Sequence, residues 1–169
     1  MSSIKTEKTK KAKILPVIIH PNPILRRLSE EILLTELKEP EFQQLLLDIE
    51  ETMLKKDGAG LAAPQIGKNI RLFVLALEKK TLFCLNPQIT KRSWAKAVEE
   101  EGCLSVLNKK GEIIYAPVER CRRVNFMYWD EKGEKKKIAA TDMLARVIQH
   151  ELDHLDGVLF IDKIVAAEK

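Results

Sequence analysis

Apolar residues recur along this chain with two different periods, and the switches between them predict its elements. Over residues 40–56, Phe42, Leu45, Ile49, Thr52 and Met53 fall near a 3.6-residue period behind Pro40, which suits a first helical turn. An amphipathic helix is expected there, ended by Asp57-Gly58-Ala59-Gly60. The pattern then becomes strand-like over residues 70–77, 81–89 and about 94–103. Residues 120–129 alternate as one strand with a wet face, and a turn at 130–133 leads into another strand over 134–140. Thr141 or Asp142 caps a last helix, in which Met143, Leu144, Val147, Ile148, Leu152 and Leu155 wrap more than one face, so that helix is expected to be buried. Gly157 stands where a C-cap glycine belongs. Near the start, the apolar run 15–19 is stopped by His20-Pro21-Asn22-Pro23, whose prolines exclude regular structure. Strands bunched between one early and one late helix predict the α+β class, with antiparallel sheets packed around a buried C-terminal helix.

Composition narrows the function classes. At 169 residues, 45% hydrophobic and 32% charged, the chain fits one domain with an ordinary soluble balance. No apolar run approaches the roughly 20 residues that span a bilayer. The net charge of +4 is accounted for by residues 1–13, where five lysines oppose one glutamate; the rest is balanced, 24 basic against 24 acidic. We therefore expect a flexible basic leader over 1–13, a single catalytic domain over 14–169, and neither DNA nor membrane as a partner. The leader lacks the apolar centre of a secretory signal and the arginines of a transit peptide. Three cysteines, an odd number, argue for a reducing compartment, and the cytoplasm is the expected one.

The chemistry is concentrated in His150-Glu151-Leu152-Asp153-His154. On a helix, His150 and His154 lie one turn apart on one face and can share a cation. Glu151 is rotated by about 100° from His150, beside the cation, where a general base for a bound water belongs. A third ligand is required, and the chain downstream offers only Asp156 and Asp162 nearby. Cys103 is the better candidate, in Glu101-Gly102-Cys103-Leu104-Ser105, read as a tight polar loop. Cys84 and Cys121 read as inert packing cysteines and His20 as a solvated loop residue. The His-Glu-x-x-His motif alone also allows a metalloprotease. The basic leader leaves a non-catalytic, ribosome-docking protein as a further rival.

Three motifs coincide in order: Gly58-Ala59-Gly60-Leu61-Ala62-Ala63-Pro64-Gln65-Ile66-Gly67, then Glu101 to Ser105, then His150 to His154 followed by Leu155-Asp156-Gly157. In that order the chain resembles the peptide deformylases over nearly all of its length after the leader, and Arg26 after Pro23-Ile24-Leu25 fits the entry segment of that family. The resemblance implies a hydrolase that removes the formyl group from the N-terminal formyl-methionine of nascent polypeptides. It implies Cys103, His150 and His154 as metal ligands, Glu151 as acid/base, and Gln65 with the Leu104 N–H as oxyanion donors. Ala59, Gly60 and Gly102 would lie along the peptide, with Met143 and Val147 as walls for the methionine side chain. The cofactor implied is one divalent metal ion, Fe2+ natively, with Zn2+ or Ni2+ as alternatives the same ligand set accepts. The partners implied are an N-formyl-methionyl peptide and a transient ribosome contact, for a monomer. The chain departs from the family pattern in a longer loop after Ser105 and in Ala59, where a branched residue is usual. It departs again at Glu99, where an apolar residue can line the methionine pocket. Little room is left after Ile161 for the long C-terminal helix some relatives use at the ribosome.

Overall fold

The computed structural model describes residues 11–78 and 80–166. The expected leader therefore lies mostly outside the described residues. At its end, the Lys13 and Leu15 N–H groups donate to Asp48 Oδ1 and Thr52 Oγ1, both at 2.8 Å, which ties this segment to the first helix.

That helix, α1, spans Pro40–Lys55, with the proline in its first turn. The strands are β1 Gly60–Ala62, β2 Leu72–Leu77, β3 Lys80–Arg92, β4 Lys96–Leu107, β5 Ile113–Cys121, β6 Arg123–Trp129 and β7 Lys135–Thr141. The last helix, α2, spans Asp142–Leu155. A five-stranded antiparallel sheet runs β1-β2-β3-β6-β7, and β4 pairs with β5 in a separate two-stranded sheet. Strand β2 is buried on both faces. Leu72 and Val74 join the core beneath α1, whereas Phe73 and Leu75 join the core beneath α2. Phe73, Phe126, Ile148 and Leu155 are fully buried in the second core, each contributing about 1.5–3 kcal/mol of transfer free energy. Helix α2 therefore sits between the large sheet and the β4–β5 hairpin, and this position lets it deliver side chains to the hairpin.

The α+β architecture is the one expected, but several elements differ in detail. The single strand read over 120–129 is two strands in two sheets. Arg120 and Cys121 end β5, and the chain changes sheet at Arg122, whose carbonyl accepts from Asp142 N at 2.7 Å. Gln149 of α2 holds this corner, accepting from Cys121 N at 3.1 Å and donating to Cys121 O at 2.9 Å. Alternation of side chains continues through the corner, so period-two counting does not register the change of sheet. The long loop expected after Ser105 is instead an extended hairpin. Only residues 108–112 turn, with Asn108 Oδ1 accepting from the Lys110 and Glu112 N–H groups at 2.8 and 3.0 Å. The Glu101 to Ser105 segment is part of strand β4 and not a loop. Thr141 occupies the α2 cap position in extended backbone but makes no side-chain capping bond. Met143, grouped with the buried face, is 62% exposed. Gly157 closes α2 with φ +72°, and a Cβ there would fall 2.6 Å from the Arg26 carbonyl oxygen. No helix among the described residues is long and apolar enough to cross a membrane.

Candidate metal centre

His150 and His154 stand one turn apart on α2, and β4 brings Cys103 to the same point. One ligand atom from each of the three lies within 4.8 Å of the others. Cys103 Sγ is 3.3 Å from His154 Nε2, and the two imidazoles meet edge to face with centroids 5.0 Å apart. His150 Nδ1 lies 2.9 Å from Glu101 Oε2. With its proton given to that carboxylate, His150 keeps the Nε2 lone pair for a ligand.

Glu101 is the hub of a buried network. Arg120 donates Nε to Oε1 and Nη2 to Oε2, both at 2.9 Å, and Arg146 donates Nη1 to Oε1 at 2.7 Å. Arg120 also reaches Asp153 at 2.5 Å, and Arg146 reaches Glu99 at 3.1 Å and the Val118 and Ala97 carbonyls at 2.9 and 2.8 Å. Burial works against ionisation of Glu101, but the hydrogen bonds from His150 and Arg120 outweigh it and hold its carboxyl well below the usual carboxylate range. Burial likewise disfavours charge on His150, yet its hydrogen bonds to Cys103 and Glu101 push it up to about 10. His154 is pushed well down by burial, then by the charges of His150 and Arg120. The Cys103 sulfur and the two imidazoles lie close enough together for one divalent cation to bridge them.

A soft thiolate with two imidazoles is a fitting donor set for such a cation, and three protein ligands leave a coordination position open. One buried atom agrees with this: among the described residues, Glu151 Oε2, beside the ligands, has no hydrogen-bond partner. Glu151 is 4% exposed, and burial raises its carboxyl to about 7 against the opposing pull of His150. A cleft of about 300 Å3 opens beside the ligands. Its lining brings together Cys103, His150 and Glu151 with Gln65, Leu104, Ala59, Gly60, Gly102, Met143 and Val147; His154 lies behind, fully buried. Gln65 sits in a 3₁₀ turn, Ala63–Ile66, with its amide fixed at both ends. Oε1 accepts from Ala62 N at 2.8 Å, and Nε2 donates to Ser105 Oγ at 3.1 Å and faces Cys103 Sγ at 3.5 Å. The β4–β5 register breaks between Gly102 and Leu107, freeing the segment with Cys103 and Leu104 from a regular ladder.

Gly60 has a reason the sequence does not display. An ideal Cβ there would lie 2.5 Å from Glu151 Oε1 and 2.8 Å from its Cγ, so only glycine lets β1 pass against that carboxylate. Gly60→Ala is therefore expected to displace Glu151 and lower turnover by about 10²-fold. Metal content and far-ultraviolet circular dichroism should not change, and unaltered turnover would show that Glu151 tolerates the shift.

Other candidates fall elsewhere. Glu99 does not line the cleft but turns to Arg146. Cys84 is buried with its thiol pushed up by burial, Cys121 ends β5, and His20 lies outside the cleft with its N–H bonded to the Ser105 carbonyl at 2.8 Å. Sequence reasoning missed the roles of Glu101, Arg120 and Arg146. The signals were present: Glu101 is two residues from Cys103, hence on the same face of a strand, and Arg146 extends the His150–His154 stripe by one turn. Reading 101–105 as a loop concealed the first.

The family model described as Polypeptide deformylase matches residues 14–169. The chain is 41% identical over 170 residues to a peptide deformylase of Microchaete diplosiphon, covering 96% of this chain and 86% of that one. It is 42% identical over 148 residues to one of Pseudothermotoga lettingae, covering 88% and 81%. The actinonin-bound class I type b peptide deformylase from Acinetobacter baumannii superposes with a TM-score of 0.83 at 32% identity, over 91% of this chain and 100% of that one. The peptide deformylase of Thermotoga maritima gives 0.83 at 33%, over 90% and 99%. With the family model spanning nearly all of the chain and the fold agreeing with these relatives, this chain belongs to the polypeptide deformylase family.

Proposed function

We infer that this chain is a metal-dependent peptide deformylase, hydrolysing the formyl amide of N-formyl-methionyl peptides to formate and a free α-amine. The observation that carries this reading is the convergence of Cys103, His150 and His154 beside the buried, unpartnered Glu151 carboxylate at the floor of a cleft. Those three residues would hold the ion. A divalent cation there supplies Lewis-acid polarisation of the formyl carbonyl and acidifies a water at neutral pH.

The protein supplies the rest. Strand β1 is an edge of the large sheet and lines the cleft, so Ala59 and Gly60 can pair with an extended peptide backbone. Gly102 flanks it, and Met143 and Val147 wall the methionine side chain. Glu151 takes a proton from the attacking water as the C–O bond forms. It passes that proton to the amide nitrogen as the C–N bond breaks. The Gln65 amide and the Leu104 N–H donate to the oxygen on which charge develops, each worth about 3–4 kcal/mol in comparable sites. We assign ferrous iron as the native ion on the family resemblance, the ligand set itself accepting zinc or nickel as well, and with it a monomeric state, the cytoplasm as compartment, and a transient ribosome contact.

An anaerobic assay of iron-loaded protein on a formyl-Met peptide should release formate stoichiometrically with free amine. Peptide-bond cleavage without formate would replace this reading with a protease. Cys103→Ser is expected to lower bound metal and turnover together, read by elemental analysis beside the formate assay. Unchanged metal and turnover would place the third ligand elsewhere.

A further inference from the structure

Between the two side chains that wall the methionine pocket stands a cation. Arg146 lies on α2 between Met143 and Val147 in sequence, and it lines the cleft with both of them. It is 5% exposed, and its guanidinium is anchored at every nitrogen. Nε donates to Glu99 Oε2 at 3.1 Å, Nη1 to Glu101 Oε1 at 2.7 Å and to the Val118 carbonyl at 2.9 Å, and Nη2 to the Ala97 carbonyl at 2.8 Å. A guanidinium carries five N–H donors, so one Nη2 hydrogen is left without a partner among the described residues. Glu99 and Glu101 set negative charge against it. The result is a polar wall with a donor to spare.

The position of Arg146 makes it a boundary. It also lines a second, smaller cavity with Ala97, Glu99, Arg122 and Asp142, and among the described residues it is the one the two linings share. Its side chain is therefore the partition between them. Glu99 belongs to the smaller cavity alone and latches the partition from outside the cleft, whereas Glu101 holds it from within. The chemistry of a first side chain depends on such a wall. A thioether is a weak acceptor and needs no donor beside it. Methionine sulfoxide has nearly the same shape but carries a strongly accepting oxygen. An apolar pocket strips that oxygen of water and returns nothing, so it rejects the oxidised side chain. A guanidinium N–H replaces the lost water with a charge-assisted hydrogen bond.

We propose that Arg146, latched by Glu99, is the residue that sets first-side-chain specificity, and that it extends the substrates of this chain to N-formyl peptides that begin with methionine sulfoxide. The inference rests on the deformylase reading and on Met143 and Val147 as pocket walls. The reaction is the same hydrolysis, since the sulfoxide is bound and left unchanged. The Glu99 that departs from the family pattern and the arginine it holds are thus one feature, a charged pair standing where an apolar wall is expected.

The test measures formate release by the full-length, metal-loaded protein from three formyl peptides that differ only in the first side chain: methionine, norleucine and methionine sulfoxide. Norleucine keeps the shape and lacks the acceptor. Wild type should use the sulfoxide with kcat/KM within about 10-fold of methionine. Glu99→Leu/Arg146→Leu exchanges the pair for apolar side chains and should lower the sulfoxide-to-norleucine ratio by at least about 10-fold, toward the roughly 10²-fold rejection of an apolar pocket. Arg146→Lys keeps a cationic donor and should hold most of the wild-type ratio. Glu99→Leu alone frees a second guanidinium N–H and should raise the ratio about 3-fold. The last two variants read the same ratio should the double variant fail to fold. A purely structural role for Arg146 would lower all three peptides together and leave the ratio where it was, which would overturn the proposal. So would a wild-type preference of about 10²-fold or more for norleucine over the sulfoxide. Formate from the methionine peptide but not from the sulfoxide sinks this inference alone. No formate from any of the three by wild type would overturn the deformylase reading, and this inference with it.

Discussion

Glu151→Ala is expected to retain its metal while releasing formate from a formyl-Met peptide at least about 10²–10⁴-fold more slowly. The carboxylate is buried, its Oε2 has no partner among the described residues, and burial brings it to about 7, near the working pH of a proton shuttle. It makes no hydrogen bond that positions a ligand, so its loss removes proton transfer and little else. Removal of an unpartnered buried carboxylate should also leave the variant melting no lower than wild type. Glu151→Gln, which preserves volume against Gly60, should be equally slow. Turnover near the wild-type rate in both, with metal content equal, would end the acid/base assignment.

The second large effect is expected at a residue that acts through the side chains it holds. Glu101→Ala deletes the shared acceptor of Arg120, Arg146 and His150. Breaking a buried ion network by removing one partner costs about 3–5 kcal/mol, because the remaining charges stay desolvated. The lower end is expected, since Arg120 keeps Asp153 and Arg146 keeps Glu99 and two carbonyls. For a chain of this size about 3 kcal/mol is a fall in Tm of roughly 6–12 °C. Metal affinity should fall about 10–100-fold as His150 loses the partner that fixes its ring. Thermal melting and competition with a chelator read the two effects separately. A melt within two degrees of wild type, with unchanged metal affinity, would show the network to be dispensable.

Local patterns are legible wherever one element carries the whole signal. The His150–Glu151–His154 spacing needs only a helix to become half a metal site, and periodicity predicts that helix. α1 was equally readable from its own period, and the interior strands β2 and β3 from short apolar runs that need no alternation. Reading 101–105 as a loop failed for a physical reason: glycine and small polar residues look like a turn, but Gly102 is there because the Tyr115 ring lies against it, 2.5 Å from where a Cβ would stand. The strand over 120–129 failed because a change of sheet leaves alternation intact.

By itself the amino-acid order determined the class of fold, the one-turn spacing of His150 and His154 with Glu151 beside them, and the motifs that place the chain in its family. These depend on residues within about one helical turn or one strand, where backbone geometry alone sets relative position. Only the tertiary structure decided that Cys103 lies on a strand facing α2, that Glu101 ties two arginines to His150, and that Gly60 makes room for Glu151. Those contacts join residues far apart in the chain, and which of the many pairings forms is set by how α2 packs between sheet and hairpin, a choice no local spacing encodes.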